Sequence, residues 1–363
     1  MTVLITGVAG FIGFHTARRL CQEGVEIVGI DNLNDYYSVE LKRARLALLS
    51  EFPNFQFKVL DIVDKDALLE LFQAHVFTQV IHLAAQAGVR HSLDHPEAYA
   101  ESNVSGFLNV LEVCRRVKLE HLIYASSSSV YGHNEKVPFS TADAVDSPAS
   151  FYAATKRANE LMAYTYSHLY DIPVTGLRFF TVYGPWGRPD MALFKFTQSI
   201  LNGTPIDIYN DGLMSRDFTY IDDIVEGIVR LRLLPPDGPG VRNKVYNIGR
   251  GAPVKLLDFI ECLEATIGIK ALRNYLPMQP GEVLQTWADV SELAQRIDFL
   301  PQVSLDTGVR HFVDWYCDYF KVTLPTAVPQ HIYSYKGSIN EQQRLPLRAD
   351  SCQERGQQSN PPA

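Results

Sequence analysis

VLITGVAGFIGFH (residues 3–15) decides the fold of the amino-terminal half, because it joins a strand pattern directly to a glycine-rich turn and a helix pattern. The apolar, β-branched run Val3–Thr6 is typical of a buried strand. Apolar residues then recur with helical spacing over Ile12–Glu23, and Glu26–Ile30 has the pattern of the next strand. A strand, a helix and a second strand in this order predict a parallel βαβ unit.

The turn between the first strand and the first helix predicts a dinucleotide site. Glycines there permit a tight turn and let a pyrophosphate approach the backbone N–H groups at the helix N-terminus. Asp31 ends the second strand, 24 residues after Gly7. A carboxylate at that place accepts hydrogen bonds from a ribose diol and repels the additional phosphate of NADP. The pattern therefore predicts NAD, with contacts from Gly7, Gly10, Phe11, Ile12, Gly13, Asp31 and Asn32.

The alternation of strands and helices continues through the first half of the chain. Because parallel strands need right-handed crossovers, it predicts an α/β fold with a Rossmann-type doubly wound parallel sheet, which we assign to residues 1–180. The further strands are predicted at Phe55–Val59, Gln79–Leu83, His121–Ala125 and Val174–Phe179, and the helices at Ala67–Gln73, Ser105–Val117 and Tyr152–Tyr170.

The alternation ends near residue 180, which predicts a smaller α/β substrate lobe made of residues 181–217 and 249–324. Phe218–Leu234 is predicted to be helical and begins a segment, residues 218–248, that returns to the first domain, so the two units interleave in sequence. Residues 325–363 are polar and aperiodic and predict a flexible tail. Helices of the lobe are expected at Leu193–Leu201, Leu256–Thr266 and Thr307–Phe320.

Composition and charge exclude several classes of protein. Hydrophobic residues are 46% and charged residues 20% of the 363, as in ordinary globular chains. The net charge of −8 argues against a nucleic-acid partner. Five scattered cysteines, no signal-peptide pattern after Met1 and no apolar run of about 18 residues indicate a cytoplasmic protein with no membrane partner.

Two further strand ends supply candidate cofactor contacts. Asp61 and Ile62 follow the third strand, and Leu83-Ala84-Ala85-Gln86 follows the fourth. Open α/β sheets bind ligands at the carboxyl ends of their strands, and the small side chains of Ala84 and Ala85 let a nicotinamide nucleotide pass close to the backbone. The alternative, that these are ordinary loop residues, stays open.

A serine cluster and a tyrosine–lysine pair are the candidate catalytic groups. Ser126–Ser129 follows the fifth strand, and Tyr152 and Lys156 share one face of a predicted helix. A nearby ammonium group favours the phenolate, so we expect the lysine to lower the pKa of the tyrosine and provide a base at neutral pH. On a helix alone such a pair is usually a solvated face; beside a dinucleotide turn and a serine cluster it favours catalysis.

A resemblance to a known family extends over residues 1–320. The chain resembles the extended short-chain dehydrogenase/reductases of the NAD-dependent epimerase/dehydratase family, most closely those that epimerise UDP-glucuronate at C4. The resemblance implies that Tyr152 is the catalytic base, that Lys156 lowers its pKa and holds a ribose, and that Ser127 is their hydroxyl partner. The segments that carry it are TGVAGFIGFH, DNLNDYY, LAAQAGVR, SSSSVYG, YAATKRANE, LRFFTVYGPWGRPDMA, SRDFTYIDDI and QPGEV.

The activity that the resemblance implies is NAD-dependent C4 epimerisation of a UDP-hexuronic acid, UDP-glucuronate to UDP-galacturonate. The sugar would be oxidised transiently to a 4-keto sugar and reduced again on its other face, with NAD as a resident cofactor. Relatives that eliminate water or carbon dioxide carry an acid where this chain has Ser129, which argues against those reactions. A UDP-glucose or UDP-N-acetylhexosamine 4-epimerase and a catalytically silent NAD-binding protein are the alternatives.

The resemblance also implies a clamp for the substrate carboxylate. A 4-keto uronate is a β-keto acid. It loses carbon dioxide when the bond to its carboxylate is free to align with the π system of the C4 carbonyl. Hydroxyl groups and a planar guanidinium fork would hold it, and the residues that resemble this clamp are Ser127, Ser128, Thr181 and Arg188.

The diphosphate and the nucleoside have their own candidates. Arg216 is expected at the diphosphate by resemblance, and Arg90 is a second candidate for which a surface-charge role is the alternative. Gln279, Glu282 and Asp289 are candidates for ribose or uracil contacts.

Two last expectations concern metals and subunits. His91 and His95 are four residues apart but have no third ligand, so no metal site is predicted. Helices Ser105–Val117 and Tyr152–Tyr170 resemble the family's four-helix subunit contact, which implies a homodimer.

Overall fold

The computed structural model describes residues 1–325 except Pro239 and Pro280, so the predicted tail lies outside the described residues from 326 onwards. Among the described residues are strands β1 Thr2–Thr6, β2 Glu26–Asp31, β3 Phe55–Val59, β4 Phe77–His82, β5 His121–Ser127, β6 Val174–Phe179, β7 Thr181–Tyr183, β8 Ile206–Tyr209, β9 Ser215–Tyr220, β10 Asn243–Ile248, β11 Pro253–Lys255 and β12 Arg273–Leu276.

The same residues contain helices of three kinds. A π-helical segment covers Ala100–Gly106, and short 3₁₀ turns cover Ser128–Tyr131 and Asn210–Gly212. The α-helices are α1 Phe11–Gln22, α2 Val39–Leu49, α3 Lys65–Ala74, α4 His91–Asp94, α5 Pro96–Tyr99, α6 Phe107–Cys114, α7 Phe151–Tyr170, α8 Ala192–Asn202, α9 Ile221–Leu231, α10 Leu256–Ile267, α11 Ser291–Ile297 and α12 Leu305–Phe320.

Seven parallel strands form the main sheet, in the order β10-β6-β5-β4-β1-β2-β3. The strand order runs outwards on both sides of β1, so the direction of winding reverses between β1 and β4. At such a reversal the loops after the two strands separate and leave a crevice at the carboxyl edge of the sheet. The predicted Rossmann-type doubly wound fold is confirmed.

The strands of this sheet have continuous apolar runs because both faces of the sheet are covered. Val3, Leu4 and Ile5 of β1 are completely buried, although their side chains alternate between the two faces. Helix α7 starts at a side-chain cap, since the hydroxyl of Ser150 accepts a hydrogen bond from Ala153 N.

Two small sheets form the remainder of the fold. The first contains β11, β9 and β7, and the second pairs β12 with β8. One apolar cluster joins these sheets to the main sheet, since it includes residues of β1, β8, α9, α10 and α12. Described residues 1–325 form one compact unit. No helix among them has the length and apolar character needed to cross a membrane.

The structure corrects part of the predicted secondary structure. The start of Phe218–Leu234 is not helical, because residues 218–220 belong to β9, which pairs with β7 and β11, and the helix begins only at Ile221. The predicted helix Ser105–Val117 is shorter, with its first two residues in the π-helical segment. Helix α2 and strand β10 were not predicted individually.

A buried ion pair connects α7 with the centre of the sheet. Glu160 of α7 accepts hydrogen bonds from Arg178 Nε (2.8 Å) and Nη2 (2.9 Å) and from the hydroxyl of Ser126 (2.7 Å). The two charged side chains are only 2% and 4% exposed. Because Ser126 precedes Ser127 and Glu160 follows Lys156 by one helical turn, this pair fixes the helix against the strand that carries the serine cluster.

Removing one partner of this pair should be costly, because the other charge is then buried without compensation. We expect Glu160→Leu to lower the free energy of unfolding by about 3–5 kcal/mol. The double variant Glu160→Leu/Arg178→Met should recover part of that loss. Urea unfolding followed by fluorescence measures both.

The matched control is Asp318→Asn, which removes the partner of Lys321 in an exposed ion pair and should change stability by less than about 1 kcal/mol. A Glu160→Leu protein as stable as the control would contradict the prediction.

Candidate active site

A single cleft of about 1000 Å³ runs along the carboxyl edge of the main sheet and between it and the small sheets. This is at the upper end of the volumes of small-molecule sites. Apart from Gln279 and Asp289, the site residues predicted from the sequence lie on its wall: Gly7, Gly10, Phe11, Ile12, Gly13, Asp31, Asn32, Asp61, Ile62, Leu83, Ala84, Ala85, Gln86, Arg90, Ser127, Ser128, Tyr152, Lys156, Thr181, Arg188, Arg216 and Glu282.

The glycine turn has no room for side chains. Gly7 has φ +71°, and a Cβ there would lie 2.7 Å from Ala84 N. At Gly13 a Cβ would lie 2.2 Å from the carbonyl oxygen of Gly7. The first turn of α1 therefore presents bare backbone N–H groups to the cleft, as the pyrophosphate of a dinucleotide requires. These residues fit NAD.

Asp31 lies at the far end of this turn. Its Oδ2 accepts a hydrogen bond from Ala9 N (3.1 Å) and its Oδ1 one from Leu33 N (2.9 Å). Burial raises the pKa of this carboxyl, and the two backbone hydrogen bonds and the charge of Lys42 oppose that rise. Each oxygen keeps a lone pair for a ribose hydroxyl. Beside it, Asn32 Nδ2 donates to Asp61 Oδ2 (2.8 Å).

The loop after β4 is held by a residue that the sequence analysis did not assign. Asn103 Oδ1 accepts from Gln86 N (2.8 Å), and its Nδ2 donates to Gln86 O (3.0 Å) and to the hydroxyl of Thr155 (3.1 Å). Asn103 thus connects the candidate nicotinamide loop with the helix that carries Tyr152 and Lys156. It lies in the π-helical segment, a local irregularity that proteins often place at functional sites.

Ser127, Tyr152 and Lys156 meet at the floor of the cleft. Ser127 ends β5, and Tyr152 and Lys156 lie in the first two turns of α7. Lys156 Nζ is 5.9 Å from the centre of the Tyr152 ring and donates to the carbonyl oxygen of Ala125 (2.9 Å). Burial lowers the pKa of Lys156 to about 8.

The expected lowering of the tyrosine pKa by Lys156 is wrong for this structure. Burial raises the pKa of Tyr152, and the two groups that act against burial are the hydroxyl of Ser127, through a hydrogen bond, and the charge of Arg188. Lys156 directs its ammonium group at the carbonyl oxygen of Ala125 instead of the phenol oxygen.

Arg188 lies on the loop between β7 and α8, and its neighbours fix that loop. Arg45 of α2 is completely buried and donates from Nη1 to Ala9 O (2.7 Å) and from Nη2 to Trp186 O (2.6 Å). His15 Nε2 is hydrogen-bonded to Pro185 O (2.9 Å), and burial lowers the pKa of this ring to about 3. Both contacts tie the loop of Arg188 to the glycine turn.

Arg90 and Arg216 converge on one carboxylate at the other end of the cleft. Glu282 Oε1 accepts from Arg90 Nε (3.2 Å), and Oε2 accepts from Arg216 Nη2 (2.9 Å). Two cations on one anion leave a net positive charge, which suits a diphosphate. Asp289 is elsewhere: its Oδ1 accepts from the backbone and hydroxyl of Ser291 at the start of α11. Its expected role at the nucleoside is therefore wrong.

Potential metal ligands do not cluster in the part of the chain that the structure describes. Among residues 1–325 without 239 and 280, no group of three or more His, Cys, Asp or Glu side chains could hold a metal ion. His91 and His95 pack ring against ring with their centres 4.3 Å apart.

Comparison with known proteins gives a consistent result. Residues 3–249 match the NAD dependent epimerase/dehydratase family. A probable UDP-glucuronate 4-epimerase of Rhizobium meliloti is 50% identical over 87% of this chain and 97% of its own length. UDP-glucuronate 4-epimerase 4 of Arabidopsis thaliana is 46% identical over 88% of this chain and 76% of its own length.

A solved structure is similar over the same region. It is the UDP-glucuronic acid 4-epimerase of Bacillus cereus in complex with UDP-glucuronic acid and NAD. It has a TM-score of 0.82 and 37% identity, and the match covers 88% of this chain and 100% of that one.

The burial of Lys156 predicts a stability effect that depends on pH. In the unfolded chain this lysine holds its proton up to about pH 10.5, whereas in the folded protein it releases it near pH 8. The charged lysine therefore destabilises the folded state below pH 8, and this cost disappears between pH 8 and 10.5. Relative to the wild type, Lys156→Met should gain on the order of 2 kcal/mol more stability at pH 7 than at pH 10.5.

Unfolding of both proteins in urea across this pH range measures the difference. Lys58→Met, which removes an exposed lysine of β3, is the control and should show no comparable pH dependence. A stability difference for Lys156→Met that stays constant or grows with pH would contradict the burial argument.

Proposed function

Since the chain belongs to the NAD dependent epimerase/dehydratase family, we propose that it inverts C4 of a UDP-hexuronic acid and interconverts UDP-glucuronate and UDP-galacturonate. The cofactor is NAD, and the substrate is a UDP-sugar. Residues 1–180 with 218–248 are proposed to hold the cofactor, and residues 181–217 with 249–324 the nucleotide sugar.

One observation carries the proposal. Ser127, Tyr152 and Arg188 line the same cleft, and the Ser127 hydroxyl and the Arg188 charge both oppose the burial that raises the pKa of Tyr152, which supports a base, a hydroxyl partner and a carboxylate-binding cation acting together. A sugar whose O4 reaches Tyr152 can direct its C6 carboxylate to Arg188. A neutral hexose would leave that cation without a ligand other than the protein's own.

The protein groups have separate tasks in the reaction. Tyr152 takes the proton from the 4-hydroxyl, and Ser127 donates a hydrogen bond to the oxygen that carries the developing negative charge. Bound NAD, held by the glycine turn and Asp31, would supply the hydride chemistry at C4: removal of the hydride and its return to the opposite face of the 4-keto sugar. Tyr152 then gives the proton back, so that no net oxidation occurs and the cofactor is not consumed.

The remaining cleft residues hold the substrate. Arg90 and Arg216 are proposed at the diphosphate, where their joint positive charge is only partly offset by Glu282. Ser128 and Thr181 are proposed to support Arg188 at the carboxylate. Holding that carboxylate keeps the C5–C6 bond from aligning with the π orbitals of the C4 carbonyl. Without that alignment the electrons of the bond cannot enter the carbonyl, so the intermediate does not lose carbon dioxide.

The alternatives differ in substrate or in activity. A UDP-glucose or UDP-N-acetylhexosamine 4-epimerase would use the same base and cofactor without needing Arg188. Ser129 stands where dehydratases and decarboxylases of the family have an acid, and its hydroxyl accepts a hydrogen bond from Ser127 (3.1 Å). A catalytically silent NAD-binding protein would not need Ser127, Tyr152 and Lys156 together at the cleft floor.

Two further properties are proposed. α6 and α7 expose a row of large apolar side chains that suits a homodimer built from two copies of this helix pair: Leu108, Phe151, Leu161, Tyr164, Leu169 and Tyr170. A cytoplasmic location is supported by the unpaired thiols of Cys21, Cys114, Cys262 and Cys317 in the described part of the chain.

The deciding experiment is turnover of UDP-glucuronate by the purified protein with no NAD added. We expect UDP-galacturonate to form, because the cofactor stays bound, and UDP-glucose to react at least tenfold more slowly. Tyr152→Phe should reduce turnover by about 10²–10⁴-fold because the proton has no acceptor. Product identity is read by NMR, and NAD content by absorbance after denaturation.

Each outcome has a meaning for the proposal. Faster turnover of UDP-glucose would replace the uronate by a neutral sugar. An active Tyr152→Phe protein with normal NAD content would refute the mechanism.

The dimer is tested by a charge placed on the apolar row. Leu161 of α7 is 55% exposed, and Leu161→Glu should convert a dimer into a monomer in light scattering at micromolar concentration. Leu272→Glu is the matched control, since that leucine is 57% exposed but lies beside β12. A wild type that is already monomeric would reject the homodimer.

A further inference from the structure

Arg188, the cation proposed for the substrate carboxylate, already has a carboxylate partner in the protein. Asp190 lies two residues further along the same loop. Its Oδ1 accepts from Arg188 Nε (3.0 Å) and its Oδ2 from Arg188 Nη2 (2.5 Å). This is a two-point, fork-to-fork contact, which fixes the plane of the guanidinium as well as its distance.

Asp190 is itself oriented by a residue from the opposite wall. Tyr36, on the segment between β2 and α2, donates its hydroxyl hydrogen to Asp190 Oδ2 (3.2 Å). The ring of Tyr36 packs against His91, with 4.9 Å between ring centres. Although burial opposes its ionisation, Asp190 keeps a pKa below the usual range because of Arg188 and Tyr36. It is therefore a carboxylate at neutral pH.

In this contact, the edge of the guanidinium formed by Nε and Nη2 faces Asp190, while Nη1 belongs to the other edge. Asp190 takes Nε and one hydrogen of Nη2, whereas Nη1 makes no hydrogen bond among the described residues. Because the loop backbone is held by Arg45 and His15, the side chain has little freedom apart from rotation of its own bonds. Without Asp190, that rotation would let the guanidinium turn away from the sugar.

We propose that Asp190 is a positioning residue that makes the site selective for carboxylated sugars, by holding one edge of Arg188 so that the other edge meets the substrate carboxylate. The inference rests on the proposed function and deepens it. Tyr36 contributes by holding Asp190, and its ring also lies against Arg188, with 6.0 Å between the guanidinium carbon and the ring centre. A sugar without a carboxylate gains nothing from this arrangement, so its binding does not depend on Asp190.

The main variant is Asp190→Asn, which keeps the size of the side chain and removes its charge. For UDP-glucuronate we expect kcat/KM to fall about 10–100-fold, mostly through KM, because the guanidinium is no longer fixed. The Kd of UDP-glucose, measured by calorimetry on the NAD-loaded protein, should change less than about twofold. Tyr36→Phe should also lower kcat/KM for UDP-glucuronate, but by only about 2–5-fold.

A second readout follows from the chemistry of the intermediate. If the carboxylate is held loosely, the C5–C6 bond of the 4-keto uronate breaks, its electron pair enters the C4 carbonyl to give an enolate, and carbon dioxide leaves. The hydride then stays on the cofactor. Asp190→Asn should therefore accumulate NADH and a 4-keto pentose nucleotide with UDP-glucuronate, whereas the wild type should not.

A double-mutant cycle tests whether Asp190 acts through Arg188. Arg188→Ala alone should weaken UDP-glucuronate binding strongly, and adding Asp190→Asn to it should cause no further loss of uronate binding. Asp171→Asn is the matched control, because it removes a carboxylate from another arginine pair, with Arg242, outside the cleft. It should change neither substrate.

The possible failures are distinguishable. If the wild type turns over UDP-glucose faster than UDP-glucuronate, the proposed function fails whatever the variants do. Suppose that the wild type prefers UDP-glucuronate. The positioning role is then overturned if Asp190→Asn weakens the binding of both sugars equally or strengthens the binding of UDP-glucuronate. It is also overturned if the effects of Asp190→Asn and Arg188→Ala on uronate binding are additive. If Asp190→Asn does not fold or loses NAD, the same comparison is made with Tyr36→Phe. Its effect on UDP-glucuronate must then exceed its effect on the binding of UDP-glucose for the positioning role to stand.

Discussion

The buried guanidinium of Arg45 is the contact on which the cleft depends, because it hydrogen-bonds both loops that form its walls. One of its nitrogens binds the carbonyl of Ala9 in the glycine turn, and the other binds Trp186 and Gly187 next to Arg188. A planar group with five donors can do this and a lysine could not. Together with the contact of His15 to Pro185, this side chain holds the glycine turn and the loop of Arg188 at a fixed distance from each other.

At the floor of the cleft, removal from water disfavours the charged forms of two neighbouring side chains, Tyr152 and Lys156. Burial opposes the ionisation of Tyr152 and of Lys156 together. Chemistry is possible because the stabilising groups are arranged around the phenol: a hydroxyl from the end of β5 and the charge of Arg188. In the proposed mechanism, the groups that would recognise the substrate also favour ionisation of the base, which would link specificity and reactivity in one small volume.

Much of this arrangement follows from the sequence, because strand runs, glycine spacing and strand-end residues are local signals. They predicted the doubly wound sheet and the glycine turn, whereas Thr181, Arg188 and Arg216 were implied by the family resemblance and also line the cleft. What they missed depends on contacts between distant segments. Asn103 and Asp190 act through partners that no spacing reveals, and β9 has the apolar pattern of the helix that follows it, so only its pairing with β7 shows that it is extended.

The apolar cluster shared by the main sheet and the small sheets also bears on how such an enzyme can diversify. If the second lobe were replaced by that of a relative, the apolar cluster that both lobes share would be divided between two sequences. Its side chains would then no longer pack against each other at the junction. New sugar preferences are more accessible by replacing a few side chains on the rim, where loops such as the one bearing Arg188 can change without disturbing that interior. Divergence by point substitution, rather than by recombination of modules, is the route this architecture leaves open.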